Sequence, residues 1–404
     1  MQLCLFEDHR ADDLAPLADT RPVWDLLLGS LTLRQRIQSV LRLRATGFCA
    51  RELVAGVAGS SVDGVSGAPV LLVNGAAIAT PALREAIESA EGENWVMVEG
   101  ERVVAARLDD ERSGRFFVEG RGALAHARFR DLPTLDAPVG TLVRWLWDLL
   151  DRNAWAIEED AVGIDGAHAG IVSAGAHMVC PERIGIDEGA TIAPGVVLDA
   201  SGGPIIIDAG VTVMASAVIQ GPCAIGAGST IKIGAKIYGG TAIGPRCKVG
   251  GEVENSTLIG YGNKQHDGFL GHSYLGAWTN LGADTNTSDL KNNYGQVRVE
   301  LNGQTVGTGR MFLGTLAGDH VRTGINTMLN TGTVAGVFSN IFGGGFPPKV
   351  IPAFAWGGSS EERYRLDDAL SVARTVMARR DVVLDPETER LYRALYNRPP
   401  GTAS

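Results

Sequence analysis

The chain has 404 residues, 45% of them aliphatic, aromatic or Cys and 20% charged, with 53 glycines and a net charge of −10. That length exceeds one ordinary domain and the composition excludes a disordered chain. The acidic balance excludes nucleic-acid binding through a broad basic surface, and no apolar run of about 18 residues or charged-then-apolar leader points to a membrane.

The first region, residues 1–136, reads as mixed α/β. Residues 2–6 form a short apolar start. Leu33, Ile37, Val40 and Leu41 lie on one side of a predicted helix over 32–43. A buried-strand pattern over 70–73 runs into Asn74-Gly75. Residues 81–90 suit a helix with Pro81 in its first turn. Residues 96–106 alternate as a strand does. A linker over 137–161 carries an amphipathic helix (140–157) with Trp145, Leu146, Leu149 and Leu150, followed by an acidic loop at 158–160.

From residue 162 the texture changes. Ile207, Val213, Ile219, Ile225, Ile231, Ile237, Ile243 and Val249 are spaced by six without a break, and Ile186, Ile192 and Leu198 form an earlier run. A period of six is neither helical nor that of a simple strand. It fits a coil with three flat sides, one aliphatic side chain pointing inward from each. The expected architecture over 162–352 is a left-handed parallel β-helix. The period breaks over 250–272, which reads as a protruding loop or a shifted coil, and again over 284–304. Residues 353–404 become helical (361–380 and 386–396) and read as a cap over the open end of the solenoid.

Five scattered cysteines (Cys4, Cys49, Cys180, Cys223, Cys247) form no C-x-x-C pair and read as reduced packing residues of a cytoplasmic protein. Lys232, Lys236, Arg246 and Lys248 form a local basic exception, either a solvated face or a phosphate pocket. The densest polar stretch, 263–294, is more than a solenoid needs to fold. A His there is a candidate general base for acyl transfer, with backbone N–H groups around Gly282 as candidate oxyanion donors. His266, His272 and His320 raise a zinc alternative, but no tight ligand spacing supports one and no metal is assigned.

The segment G-N-K-Q-H-D-G-F-L-G-H-S-Y-L-G-A-W-T-N-L-G-A-D-T-N (262–286), with L-K-N-N-Y-G (290–295), resembles the acetyltransferase half of GlmU-like enzymes. These are bifunctional N-acetylglucosamine-1-phosphate uridylyltransferase/glucosamine-1-phosphate acetyltransferases. The likeness is closest to a divergent bacterial branch described as sugar nucleotidyltransferases. The resemblance implies that His266 is the catalytic base and that Asn280 contacts the sugar. It implies that Gly282, Ala283 and Thr315 lie by the acyl-CoA thioester. Lys232 would hold the sugar phosphate, with Lys248, Lys264 and Lys291 as further substrate contacts. Phe269 stands where the family has a substrate-contacting tyrosine, and a second family lysine ahead of His266 has no clean counterpart.

L-A-P-L-A-D-T-R-P-V (14–23) and V-L-L-V-N-G-A (70–76) resemble a reduced nucleotidyltransferase domain. Thr20, Arg21, Asn74 and Gly75 are the implied nucleotide contacts, with Asp19 near the phosphates if activity persists. The Gly-rich loop is missing, and Ala76 stands where the metal-binding aspartate would be. The implied function is acetyl-CoA-dependent acyl transfer to an amino sugar phosphate or nucleotide sugar, in a homotrimer with no nucleic-acid or membrane partner. Mg²⁺ is implied only if nucleotidyl transfer is retained. The alternatives are sugar-1-phosphate nucleotidyl transfer in the N-terminal domain, or a non-catalytic trimeric scaffold.

Overall fold

The computed structural model describes residues 1–62, 65, 67–118, 129–166, 168–357 and 362–398. The N-terminal sheet has six strands in the order Ala45–Cys49, Gln2–Phe6, Val70–Asn74, Arg102–Leu108, Trp95–Glu99, Thr134–Asp136. The first three are parallel, and Arg102–Leu108 runs antiparallel to both of its neighbours. The alternation over 96–106 falls on a hairpin of two strands. The chain reverses between Glu99 and Arg102, at Gly100 with φ +63°.

Helix α1 (Leu33–Leu41) starts at a capping box in which Thr32 and Gln35 satisfy each other's backbone N–H groups. Helix α2 (Pro81–Ser89) is capped by the Thr80 hydroxyl, with proline in its first turn. Helix α3 spans Asp110–Val118. Helix α4 (Leu146–Asp160) begins later than its amphipathic pattern suggested, because Asp148 accepts from the N–H groups of Arg144 and Trp145. The expected acidic loop is its last turn, where the buried Asp160 receives Arg36 at 2.8 Å and the Ser30 N–H.

Three parallel sheets of six, nine and six strands form the sides of a left-handed parallel β-helix. Ile207, Ile225 and Ile243 are direct partners in successive coils, so one coil consumes three hexads. The inward ladder continues through Leu258, Leu275, Ala317, Ala335 and Ile351, all buried. The break over 250–272 is not a protruding loop. Ala242 pairs with Thr257 and Thr257 with Tyr274, so two coils shorten to 15 and 17 residues while the ladder stays in register. The second break is an excursion. Leu275 pairs directly with Ala317, and the intervening chain makes a partial coil and a hairpin of Arg298–Leu301 with Gln304–Gly307. The hairpin's Val299 and Leu301 pack in one cluster with Leu14 and Leu17 of the N-terminal region.

Helices α5 (Leu366–Ala378) and α6 (Pro386–Asn397) do not close the open end. They lie along one corner of the solenoid. At that corner Arg246, Tyr261, Trp278, His320, Phe338 and Phe354 all adopt left-handed backbone, with φ from 54° to 62°. Earlier coils place glycine there, as at Gly228 (φ +67°). The left-handed conformation costs a residue with Cβ roughly 1–2 kcal/mol, offset here by ring stacking and burial. Tyr261 stacks on Trp278 at 4.1 Å, His320 on Phe338 at 4.3 Å, and Phe338 on Phe354 at 5.0 Å. Tyr392 of α6 meets Phe338 edge-on at 4.8 Å, and Met377 of α5 packs against Trp278.

Candidate functional site

The corner that follows the Asn263–Lys264 strand presents most of the expected acyl-transfer residues. Lys232, His266 and the Gly282-Ala283 pair lie at this corner, with the coil of Lys248 and Gly250 between those of Lys232 and His266. On the flat side leading into it, Thr230, Lys248, Asn263, Asn280 and Arg322 form one ladder of direct partners. Neighbouring strands lie roughly 4.8 Å apart, so Lys248, Asn263 and Asn280 share one outward face beside His266. His266 is exposed, and its ring has no hydrogen-bond partner among the described residues. Its backbone carbonyl is held from inside by the Lys264 ammonium at 2.5 Å.

Several expected residues lie elsewhere. Lys264 is not a surface phosphate contact. The short coil sets it opposite Val249 at an inward position, and it is 1% exposed. Burial pulls its pKa down to about 8, partly countered by Asp267 and Asp284. Thr315 is buried on a different side, where its N–H donates to the Ser273 hydroxyl, so it does not border this corner. Lys291 turns back to donate to the Gln296 carbonyl at 2.5 Å, within the excursion. The Gly282 N–H is no free oxyanion donor, because it donates to Thr323 Oγ1 at 2.9 Å. Glycine is required there by close packing: a Cβ would come within 2.5 Å of the Gly324 carbonyl oxygen. Phe269 sits just beyond the corner, with its ring lying over Gly271.

The three histidines of the zinc alternative sit on three different corners. His320 is buried in the aromatic ladder, its pKa lowered to about 3 by burial and by Arg322 and Arg21. His272 follows the Phe269–Gly271 strand, at the corner beyond the one that carries His266. It forms the His–Asp pair that sequence reasoning missed: Nδ1 lies 2.7 Å from Asp289 Oδ2, and the ring stacks on Phe312. The partners are 17 positions apart in sequence, so only the coil geometry joins them.

Arg380, just past the end of α5, was also missed. Its Nη2 donates to Asn263 Oδ1 at 2.9 Å, and its Nη1 to the Arg246 carbonyl at 3.2 Å. It therefore stands on the same rung as the expected site. Its only sequence signal is an Arg-Arg pair at a helix end, a usual complement to the helix dipole.

The implied nucleotide contacts are spent on internal structure. The Thr20 hydroxyl donates to Asp319 Oδ2 at 2.8 Å, and Arg21 pairs with the same carboxylate. Both residues thus fasten the N-terminal domain to the solenoid. Asn74 is fully buried and donates to Asp8 and to the Val103 carbonyl. Gly75 packs on Trp24, where a Cβ would come within 2.6 Å. Asp19 faces Arg398 at 3.5 Å, and burial raises its pKa to about 6. The acidic groups at the strand ends are paired as well, Asp8 with Arg102 and Glu7 with Arg51. Ala76 offers no carboxylate, and among the described residues the neighbouring Asp8 and Glu7 are paired with Arg102 and Arg51.

Comparisons with known proteins each cover part of the chain. Residues 3–167 match the sugar nucleotidyl transferase family. Over 99 residues, 24% of this chain, the sequence is 34% identical to a bifunctional sugar-1-phosphate nucleotidylyltransferase/acetyltransferase of Sulfurisphaera tokodaii. The match spans about a quarter (25%) of that relative's length. Solved structures also align with parts of the chain. A UDP-N-acetylglucosamine acyltransferase matches over 47% of this chain and 69% of its own, with 17% identity and a TM-score of 0.18. The UDP-N-acetylglucosamine acyltransferase of Campylobacter jejuni matches over 58% and 97%, with 11% identity and a TM-score of 0.20. No described helix is long and apolar enough to cross a membrane. The chain thus joins a segment, residues 3–167, that is similar to the sugar nucleotidyl transferase family to a parallel β-helix.

Proposed function

We propose that the protein is an acyl-CoA-dependent transferase, with acetyl the simplest donor group, acting on an amino sugar phosphate or nucleotide sugar. One observation carries the reading. The half-buried Lys232, Lys248 and Asn280 and the exposed His266 lie along one side and corner of the solenoid, whereas the nucleotide contacts of the N-terminal domain are consumed by packing. In this reading Asn280 orients the acceptor and His266 takes a proton from its amine. The nitrogen lone pair attacks the thioester carbonyl, giving a tetrahedral intermediate. As the C–S bond breaks, the proton on His266 passes to the leaving thiolate, yielding amide and free coenzyme A. The N-terminal domain then serves assembly, and the chain falls in the divergent branch of the GlmU-like group.

A homotrimer belongs to the same proposal. Ile233 and Ile325, 66% and 74% exposed, stand at the same corner as His266 and suit contact with a neighbouring subunit. The test is thiol release from acetyl-CoA with a panel of amino sugar phosphates. His266→Ala is expected to lower kcat by roughly 10²–10⁴ with the fold unchanged. Undiminished turnover in that variant, with His272→Ala inactive, would move the base to the His272–Asp289 pair. Magnesium-dependent incorporation of a nucleoside triphosphate would instead establish the second reading, nucleotidyl transfer.

A further inference from the structure

Within a chain of net charge −10, four cations converge on one face of the solenoid. Lys232 and Lys248 come from successive coils, and Arg379 and Arg380 from the end of α5. Lys248 is the direct partner of Asn263, and Asn263 holds the Arg380 guanidinium. Among the described residues none of the four has a carboxylate within ion-pair distance. The nearby candidates are engaged elsewhere: Glu252 faces Lys236 at 3.6 Å, and Asp381 faces Arg246 at 4.0 Å. The mutual repulsion is felt by Lys248, whose pKa is lowered first by Arg380, then by burial, Lys232 and Arg379.

A helix end explains why cations are tolerated there, but not where Arg380 points. Its fork donates to the solenoid side chain of Asn263 and to the Arg246 carbonyl, not to the last carbonyls of α5. Two of its five N–H donors are used in those bonds, and the rest are left for a ligand. Bringing like charges together without a counter-ion is unfavourable, and an anion of more than one charge would relieve it.

We infer that Arg380, delivered by the C-terminal helices, closes a clamp with Lys248 and Lys232 around a phosphate monoester. The monoester's charge of about −1.5 to −2 near pH 7 matches the cluster better than a carboxylate would. The clamp makes α5 part of the ligand site and gives the C-terminal helices a role in specificity. It rests on the acyl-transfer reading only for the source of the phosphate, which is either the acceptor sugar or coenzyme A.

Calorimetric titration of the full chain with glucosamine-1-phosphate, glucosamine, coenzyme A and dephospho-coenzyme A tests the inference without requiring turnover. A phosphorylated member of one pair is expected to bind more tightly than its unphosphorylated partner. Arg380→Ala and Lys248→Ala should each weaken that binding roughly tenfold or more, and Arg380→Lys should restore part of it. Sensitivity in the sugar pair assigns the clamp to the acceptor, and sensitivity in the coenzyme pair assigns it to the donor. Equal binding of both members in both pairs, or binding unchanged in Arg380→Ala, overturns the inference. An unaltered melting temperature in Arg380→Ala separates lost contact from lost fold. Arg380-dependent binding without thiol release would sink acyl transfer and leave the clamp standing, whereas turnover with an unchanged KM in Arg380→Ala would sink the clamp alone.

Discussion

Lys264 carries its ammonium inside the coil, where it donates to the carbonyls of His266 and Gly250. It supports the turn that presents His266 rather than meeting substrate. Its folded pKa of about 8 lies below the ordinary 10.5, chiefly through burial. Between those values the unfolded chain binds the extra proton, so stability rises with pH across the window and the burial cost is fully present below it. Lys264→Met removes that cost but leaves two carbonyls without their donor. The variant is expected to be more stable at pH 7 by about 1–3 kcal/mol, with an advantage that shrinks toward pH 10. Urea unfolding at the two pH values measures it, and a variant less stable at both would refute the burial argument. His320 behaves in the opposite range. Its imidazole stays neutral in the fold down to about pH 3, while an unfolded one protonates near 6.5. The unfolded chain therefore binds more protons between those values, and stability falls as the pH drops through them, by about 1.4 kcal/mol per unit. In His320→Phe, which copies Phe338 and Phe354 at the same corner, that acid dependence should vanish. Urea midpoints at pH 7 and pH 5 would show it, and an unchanged difference between them would refute it. Neither role was legible in the sequence. The shortened coil hid the inward register of Lys264, and His320 gave no sign that its neighbours in space are Phe338 and Tyr392.

The elements divide by how their information is carried. Hexads from Ile207 to Val249 announce the coil because each aliphatic residue stacks on its own kind one coil away. The two short coils that follow keep the ladder through Thr257–Leu258 and Tyr274–Leu275, but they drop corner residues and so lose the period. The coil is fixed by pairing across strands, which a linear period reports only when every corner has equal length. The C-terminal helices were legible as helices, but their docking place was not. Their apolar faces match a line of aromatic side chains that no sequence period relates. Tyr392 is the pivot of that contact, meeting Phe338 edge-on and sharing a 3.1 Å hydrogen bond with His320 Nε2. Tyr392→Ala should cost about 3–5 kcal/mol and loosen α6 from the corner. Hydrogen exchange should then show faster exchange in Pro386–Asn397 than in the coil interior. Uniform acceleration throughout the chain would mean that the helices and solenoid unfold only together.

At the scale of the whole molecule, Arg21 and Asp319 decide whether the two halves are one cooperative body. The Asp319 carboxylate receives Thr20 and Arg21 from the N-terminal domain on one oxygen and the Ala277 N–H of the solenoid on the other. The T-R pair that resembles a nucleotide-binding start is thus a clasp between domains. Removing one member of a buried ion pair leaves the other charged and without its partner, which typically costs about 3–5 kcal/mol. Arg21→Met is therefore expected to lower the urea midpoint by that equivalent and to split one unfolding transition toward two. If the N-terminal domain instead kept a working nucleotide site, wild-type protein would gain thermal stability with UTP and Mg²⁺, and Arg21→Met would abolish the gain at little cost to the fold. Because Arg21 is already held by Asp319, and Asn74 by Asp8 and Val103, the expected result is the first: a large loss of stability and no response to nucleotide in either protein. A clear UTP-dependent shift in the wild type would return the N-terminal domain to catalysis and make the clasp a consequence of nucleotide binding rather than its replacement.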